Sequence, residues 1–325
     1  MKKNDLNPTL KNQLVFDSVT GELVLADKDN ISNNDVAVVS QIYENGFFGD
    51  SPKQFNPKHK AIKMPEGAAG EYAKYSCNFY KGCSNECTYC FNNRWKWGNV
   101  PTLKKCFKDE AHALEIFEKE LRANLPELQK HGLFFSFTTD PMLSKIIGLT
   151  AFAIGMCSVV DVPVKILTKR AEWIKEIEIC DVPVNHFNLY GHIINISKIA
   201  FGFTLTGHDE LEPNASTNVE RIEAMRKLHE AGFKTWASIE PIIDFESSLN
   251  MIAKTMNLCD LYKIGIESGK IYNKQELFKF TAVVRLMVEH KSKIYFKDSL
   301  LKAAGIDRSE LPSNCVGRDY NIFNS

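Results

Sequence analysis

The sequence predicts an α/β protein built on a largely parallel sheet, and three observations carry that prediction. Short apolar runs alternate with helix-period segments through most of the chain. Parallel strands need long crossover connections, and the helical segments between the runs have the length to supply them. The 325 residues exceed what one small core requires and suit one large domain with extensions.

The elements follow in order. Residues 1–65 show little periodicity and end in a proline- and lysine-rich stretch that includes Lys53, Lys58, Lys60 and Lys63, the composition of an N-terminal strap. A strand is expected at 75–80. A helix is expected at 110–124, where Leu114, Phe117, Leu121 and Leu125 fall at spacings of three and four and Pro126 disturbs the continuation. Strands are expected at 133–138, 164–168 and 199–206. Thr217 and Glu220 form a capping box that opens a helix ending at Gly232. The strand at 234–239 and the segments 244–258, 261–266, 275–290 and 293–296 extend the alternation. The divisions that result are an N-terminal extension at 1–65, a core at 66–270 and a C-terminal segment at 271–325.

Composition narrows the function. Hydrophobic residues at 44% and charged residues at 25% are ordinary globular values. Forty basic residues balance 40 acidic ones, so no global field draws the chain to polyanions, and any such site is local. The most apolar run, 146–160, falls short of the roughly 20 residues that a bilayer demands, and Met1-Lys2-Lys3-Asn4 opens no signal-like stretch. The expectation is a cytoplasmic protein without a membrane span. Nine cysteines, three of them within eight positions, make a poor disulfide framework and indicate reduced thiols. No phosphate-binding Gly-x-x-x-x-Gly-Lys loop and no Gly-x-Ser-x-Gly elbow is present, so nucleotide hydrolysis and serine hydrolysis lose their main signal.

The decisive segment is Gly82-Cys83-Ser84-Asn85-Glu86-Cys87-Thr88-Tyr89-Cys90, directly after the first expected strand of the alternating region. Three thiolates spaced Cys-x3-Cys-x2-Cys on one loop can each take a separate iron of a cubane cluster, and thiolate is the soft ligand such irons prefer. The fourth iron is then open to a small molecule. A structural zinc site is the alternative for the same cysteines, and it needs a fourth ligand such as Cys77, Cys106 or His112 to close a tetrahedron.

This loop resembles that of the radical S-adenosylmethionine (radical SAM) superfamily, including the aromatic Tyr89 beside the last cysteine. The resemblance continues through Phe-Ser-Phe-Thr-Thr-Asp-Pro at 135–141, Ile-Leu-Thr-Lys at 166–169, Gly-Phe-Thr-Leu-Thr-Gly at 202–207, Glu-Pro-Asn-Ala at 212–215 followed by Arg221, and Ser-Ile-Glu-Pro at 238–241. Its nearest flavour is the spore photoproduct lyase-like branch. What the resemblance implies is a partial (β/α)6-type TIM-like barrel with a [4Fe–4S] cluster on Cys83, Cys87 and Cys90. S-adenosyl-L-methionine would be bound by Tyr89, Thr139, Asp140, Lys169, Thr204, Thr206 and Glu240 at the strand ends. Tyr89 would steady the adenine, while Thr139, Lys169 and Thr204 would hold the ribose and carboxylate. The implied activity is reductive cleavage of that cofactor and hydrogen abstraction from substrate. An external one-electron reductant such as flavodoxin or ferredoxin would be the partner, with a nucleic-acid substrate suggested by the branch.

Two features depart from the branch. Its hydrogen-donating cysteine position is occupied by Phe137, which argues against photoproduct repair by the same route; a tyrosine, or a free cysteine such as Cys106 or Cys157, is the alternative donor. The Gly-Gly-Glu segment common in the superfamily is replaced by Phe-Thr-Thr-Asp-Pro at 137–141. The Arg94-Trp95-Lys96-Trp97 segment supports either a lid over the cluster or contact with single-stranded nucleic acid. The competing class is therefore a non-catalytic zinc- or iron–sulfur-binding module that recognises nucleic acid.

Overall fold

The computed structural model describes residues 60–94, 101–181, 185–289 and 292–324, with two further short strands, Leu14–Phe16 and Leu23–Leu25, paired antiparallel. Most of the expected strap, and Trp95, Lys96 and Trp97, lie outside the described residues.

One eight-stranded sheet organises the rest: β1 (Ile62–Lys63), β2 (Ser76–Cys77), β3 (Leu133–Phe135), β4 (Val164–Thr168), β5 (Ile199–Thr204), β6 (Lys234–Ile242), β7 (Leu261–Ile266) and β8 (Lys293–Phe296). The strands stand side by side in chain order. Only the β1–β2 pair is antiparallel; β2 through β8 are parallel. The α/β class and the parallel sheet are as the alternation predicts. The eighth strand falls beyond the expected 66–270 core yet hydrogen-bonds directly to β7, so the sheet crosses that boundary.

Side chains alternate across the strands and build two different interiors. One face carries Phe135, Ile166, Phe201, Phe203, Ile239, Ile264 and Phe296, all at most 1% exposed, in the large core beneath the helices. The opposite face carries Phe134, Ala200, Trp236, Leu261 and Tyr295 in a smaller core, closed by Tyr72, Ala73, Val316, Tyr320 and Ile322. A Cβ on Gly202 of β5 would stand 2.1 Å from Trp236 Cε2, so only glycine lets the indole lie across the neighbouring strand.

Seven α-helices are described, six of them in the crossovers and the last after β8. Helix α1 (Glu110–Ala123) starts at an Asp109 cap, whose side chain accepts the His112 N–H, and buries Ala113, Ile116, Phe117 and Leu121. Pro126 enters the first turn of a separate helix, α2 (Leu125–His131), where its missing N–H costs nothing. Helix α3 (Ile147–Val159) is the apolar run; it is buried on most sides, so no 3.6-residue polarity period marks it. It is followed by α4 (Asn218–Glu230) with the Thr217–Glu220 capping box, α5 (Phe245–Thr255), α6 (Lys274–Val288) and α7 (Asp298–Ala304). No described helix is long and apolar enough to cross a membrane.

Three expectations change. The strand at 75–80 shortens to Ser76–Cys77, and Tyr80–Lys81 instead pairs with Lys104–Lys105. The strand at 133–138 stops at Phe135 because the Asn78 side-chain oxygen takes the N–H groups of Phe137 and Thr138 at 2.9 and 3.0 Å. The crossover from β4 to β5 has no described α-helix: a three-stranded antiparallel sheet of Ile177–Ile179, His186–Leu189 and His192–Asn195 fills that place. It packs His192 against α3 at Gly155 and sets Phe187 on Phe201.

Gly202→Ala is expected to destabilise the chain by about 1–3 kcal/mol through overpacking against Trp236, measured by denaturant unfolding. An unchanged midpoint would contradict the packing described here.

Candidate active site

At the C-terminal ends of the parallel strands lies a cavity of about 480 Å³, within the size range of small-molecule sites. Cys83, Cys87 and Cys90 line it together with Tyr89, Thr139, Asp140, Lys169, Thr204 and Glu240. Thr206 does not: it is fully buried two residues past β5, and its hydroxyl accepts the His208 N–H at 3.2 Å.

The cysteine loop is held from two sides. Asp140, 7% exposed, accepts four bonds: Oδ1 from Thr168 Oγ1 at 2.6 Å and Met142 N at 3.0 Å, Oδ2 from Asn85 Nδ2 at 2.9 Å and Lys169 N at 2.8 Å. Both its oxygens are occupied by the protein, so Asp140 ties the cysteine loop to the ends of β3 and β4. On the other side the Thr88 N–H donates to the Leu211 carbonyl at 2.9 Å, and Asn214 Nδ2 donates to Glu86 Oε2 at 2.7 Å. Gly82 and Glu86 take positive φ, 83° and 54°, which turns the loop tightly.

Tyr89 donates its hydroxyl to Glu212, which is ion-paired with Arg221; the side chains of that pair are completely buried. Arg221 also donates to the carbonyls of Thr204 at 2.6 Å and Ser216 at 2.8 Å, which satisfies the buried charge. The Glu-Pro-x-Ala and Arg221 motif therefore braces Tyr89 from behind. Lys169 Nζ lies 5.5 Å from the Tyr89 ring centroid. Burial opposes its charge, but Cys87 and Glu212 outweigh burial and raise its pKa.

Across the cavity, Glu240 is also engaged. Its Oε2 accepts the Tyr72 hydroxyl at 2.5 Å, and its Oε1 is 2.8 Å from Lys297 Nζ. Lys297 lies 3.6 Å from Glu71 as well. A Cβ on Gly265 would fall 2.7 Å from Lys297 Cδ and 2.8 Å from Glu240 Cδ, so the glycine makes room for this pair. Tyr72 and Lys297 escaped the sequence reading. Lys297 follows the last residue of β8 as Lys169 follows that of β4, and strand-end position is the signal that could have found it.

Burial pushes the Cys83 thiol up to about 12, with Asp140 adding to the shift, and burial also raises Cys87 despite the opposing pull of Lys169. Such thiols ionise when a metal takes the proton's place. Among the described residues no group of three or more His, Cys, Asp or Glu side chains is gathered to hold a single metal ion. Cys77, Cys106 and His112, the conceivable fourth zinc ligands, do not line the cavity, and neither does Cys157. Cys77 and Cys157 are fully buried in the large core. Phe137 does line the cavity, stacked on Phe134 at 4.4 Å between centroids.

Two buried polar atoms on cavity-lining residues, Asn92 Oδ1 and Thr139 Oγ1, have no hydrogen-bond partner within the described protein. An unmade buried bond costs about 1–3 kcal/mol, and neither atom is open to the cavity.

No family model matches the chain. An uncharacterized protein of Methanocaldococcus jannaschii is 27% identical over 190 residues, covering 53% of this chain and 61% of its own length; the match thus spans less than two thirds of that relative. Among solved structures, a spore photoproduct lyase complexed with dinucleoside spore photoproduct superposes with a TM-score of 0.47 at 16% identity, covering 70% of this chain and 64% of that one.

Asp140→Asn turns one acceptor into a donor facing donors. It is expected to lower the melting temperature and to reduce iron uptake on anaerobic reconstitution by at least half, with Asp140→Ala also defective. Full iron loading in both variants would show that the Asp140–Asn85 tie does not hold the cysteine loop.

Proposed function

We propose that the chain is a radical SAM enzyme, with Cys83, Cys87 and Cys90 as ligands of a [4Fe–4S] cluster and the sheet forming the wall of a partial (β/α) barrel. One observation carries the reading: all three cysteines of the Cys-x3-Cys-x2-Cys loop line one cavity at the C-terminal ends of the strands. That is the end where parallel α/β folds keep their chemistry.

When bound, a reduced cluster of this kind supplies the electron that cleaves S-adenosylmethionine to methionine and a 5′-deoxyadenosyl radical. The chain's own residues have separable tasks. Asp140 fixes the ligand loop through Asn85 and acts as a positioning residue. Tyr89, braced by Glu212 and Arg221, offers an aromatic face for the adenine. Lys169 is kept charged by its neighbours and suits a carboxylate. Thr139 and Asn92 line the same wall, with their unpartnered oxygens buried beneath its surface. Phe137, Leu167 and Ile266 contribute apolar wall that limits water near the reacting atoms.

The zinc-module reading finds less support, since its closed tetrahedral site needs a fourth ligand and none of the three proposed shares the cavity. A hydrogen-returning cysteine at Cys106 or Cys157 has no support either, because neither faces the cavity.

The test is anaerobic reconstitution with iron and sulfide, then dithionite and S-adenosylmethionine, with chromatography for 5′-deoxyadenosine. Wild type is expected to form it, and Cys87→Ala to fall to the level of the protein-free control. A loaded wild type that forms none, beside an active reference enzyme, would refute the reading.

A further inference from the structure

A carbon radical formed in this cavity ends as a closed-shell product when it takes up a hydrogen atom, and few groups on the described lining can give one. The bond that yields it must be weaker than an aliphatic C–H bond, which leaves S–H and phenolic O–H. The lining cysteines are Cys83, Cys87 and Cys90, and as cluster ligands they carry no S–H. The lining tyrosines are Tyr72 and Tyr89. Tyr89 turns its hydroxyl to Glu212, which is not part of the lining. Tyr72 differs. Its hydroxyl lies 2.7 Å from Ser238 Oγ and donates to Glu240 Oε2 at 2.5 Å, and Ser238 and Glu240 both line the cavity. That hydroxyl belongs to the wall itself.

The side chain is fixed for a short transfer. Its ring packs on Phe134, Phe137 and Trp236, with centroids 5.8, 6.1 and 6.0 Å away, and Lys263 Nζ donates to its carbonyl at 2.9 Å. Burial, with Glu240 adding to the shift, pushes the phenol pKa well up, so the hydrogen stays on the oxygen through the neutral range. Behind the hydroxyl runs a chain of acids and bases. Glu240 Oε1 is 2.8 Å from Lys297 Nζ, which lies 3.6 Å from Glu71. Glu71 Oε1 accepts the Asp298 N–H at 2.7 Å, and the Asp298 side chain is 58% exposed. The chain thus links Tyr72 to a residue in contact with water.

We propose that Tyr72 is the hydrogen donor of the cavity, giving its hydroxyl hydrogen to a carbon radical formed there. The Tyr72 O–H bond breaks and a C–H bond forms; the carbon is reduced, and Tyr72 is left as a neutral tyrosyl radical. That radical takes one electron from an external one-electron reductant and one proton from Glu240, which regains it through Lys297, and the hydroxyl is restored. The inference rests on the radical SAM reading for the origin of the radical and names the residue that quenches it.

Without substrate, the 5′-deoxyadenosyl radical is itself the carbon radical in the cavity, so the test needs no knowledge of the substrate. The full chain, reconstituted anaerobically and exchanged into deuterium oxide so that Tyr72 carries O–D, is given dithionite and S-adenosylmethionine. Mass spectrometry reads deuterium in the 5′-deoxyadenosine, and electron paramagnetic resonance reads frozen samples. Wild type is expected to form mainly monodeuterated product and a tyrosyl signal that narrows when the protein is grown on ring-deuterated tyrosine. Tyr72→Phe keeps the ring packing and is expected to lose both the deuterium and the signal at wild-type iron content. In Tyr89→Phe, the product that does form is expected to keep its deuterium. Unlabelled product from wild type, an unchanged labelled fraction in Tyr72→Phe, or loss of the label in Tyr89→Phe would overturn the proposal. The two claims fail differently: no 5′-deoxyadenosine at all refutes the radical reading and this inference with it, whereas product without deuterium refutes this inference alone.

Discussion

The buried carboxylate of Asp140 is the point through which the cysteine loop, β3 and β4 are joined. A carboxylate at 7% exposure is costly unless its oxygens are filled, and here four donors from three segments fill them. The energetic requirement and the geometric result are the same fact. Satisfying Asp140 forces Asn85 of the cysteine loop, Thr168 and the Lys169 amide into one place, and the three cysteines follow. The Glu212–Arg221 pair repeats the device on the other side of the loop, with a buried cation whose donors reach Thr204, Ser216 and, through Glu212, Tyr89.

The sheet makes such a site available because its strands run parallel and in chain order. Every strand from β2 to β8 then delivers its C-terminal end to the same rim, where the chain can place a polar residue one step past the last ladder bond. Ser136, Lys169, Glu267 and Lys297 are all so placed, and Glu240 stands at the register shift within β6. Below the rim the inner face is filled by Phe134, Trp236 and Tyr295, with Lys263 donating to the carbonyls of Glu71 and Tyr72 at 2.9 Å each. Burial drives the Lys263 pKa well down, and Lys165 and Lys297 push it the same way. The floor is thus aromatic and braced by hydrogen bonds, and the open volume is confined to the strand ends.

How much of this was legible depends on the range of the interaction that fixes each feature. The β–α rhythm, the Thr217 capping box and the cysteine spacing are local, and each stood in the sequence. The strand ends at 78–80 and 136–138 misled because phenylalanine, tyrosine and threonine favour strands, whereas Asn78 captures the amides that would have continued the ladder. Helix α3 carried no period because it is buried on most sides. The three-stranded insertion after Trp173 offered only short apolar runs, too brief to announce an antiparallel sheet. Asp140 and Glu240 were singled out by motif as cofactor contacts, but three of the four donors on one, and Tyr72 with Lys297 on the other, come from distant segments. Tyr72 is 168 residues from Glu240, a pairing that no local pattern announces.

The central claim is that Cys83, Cys87 and Cys90 hold a cluster with one iron left open. The most direct measurement is metal and acid-labile sulfide content together with electron paramagnetic resonance of the reduced, reconstituted protein before and after S-adenosylmethionine is added. The account predicts about four irons and four sulfides per chain and a cluster signal that shifts when the cofactor binds. One zinc per chain with no labile sulfide, or a full cluster whose signal ignores the cofactor, would contradict it.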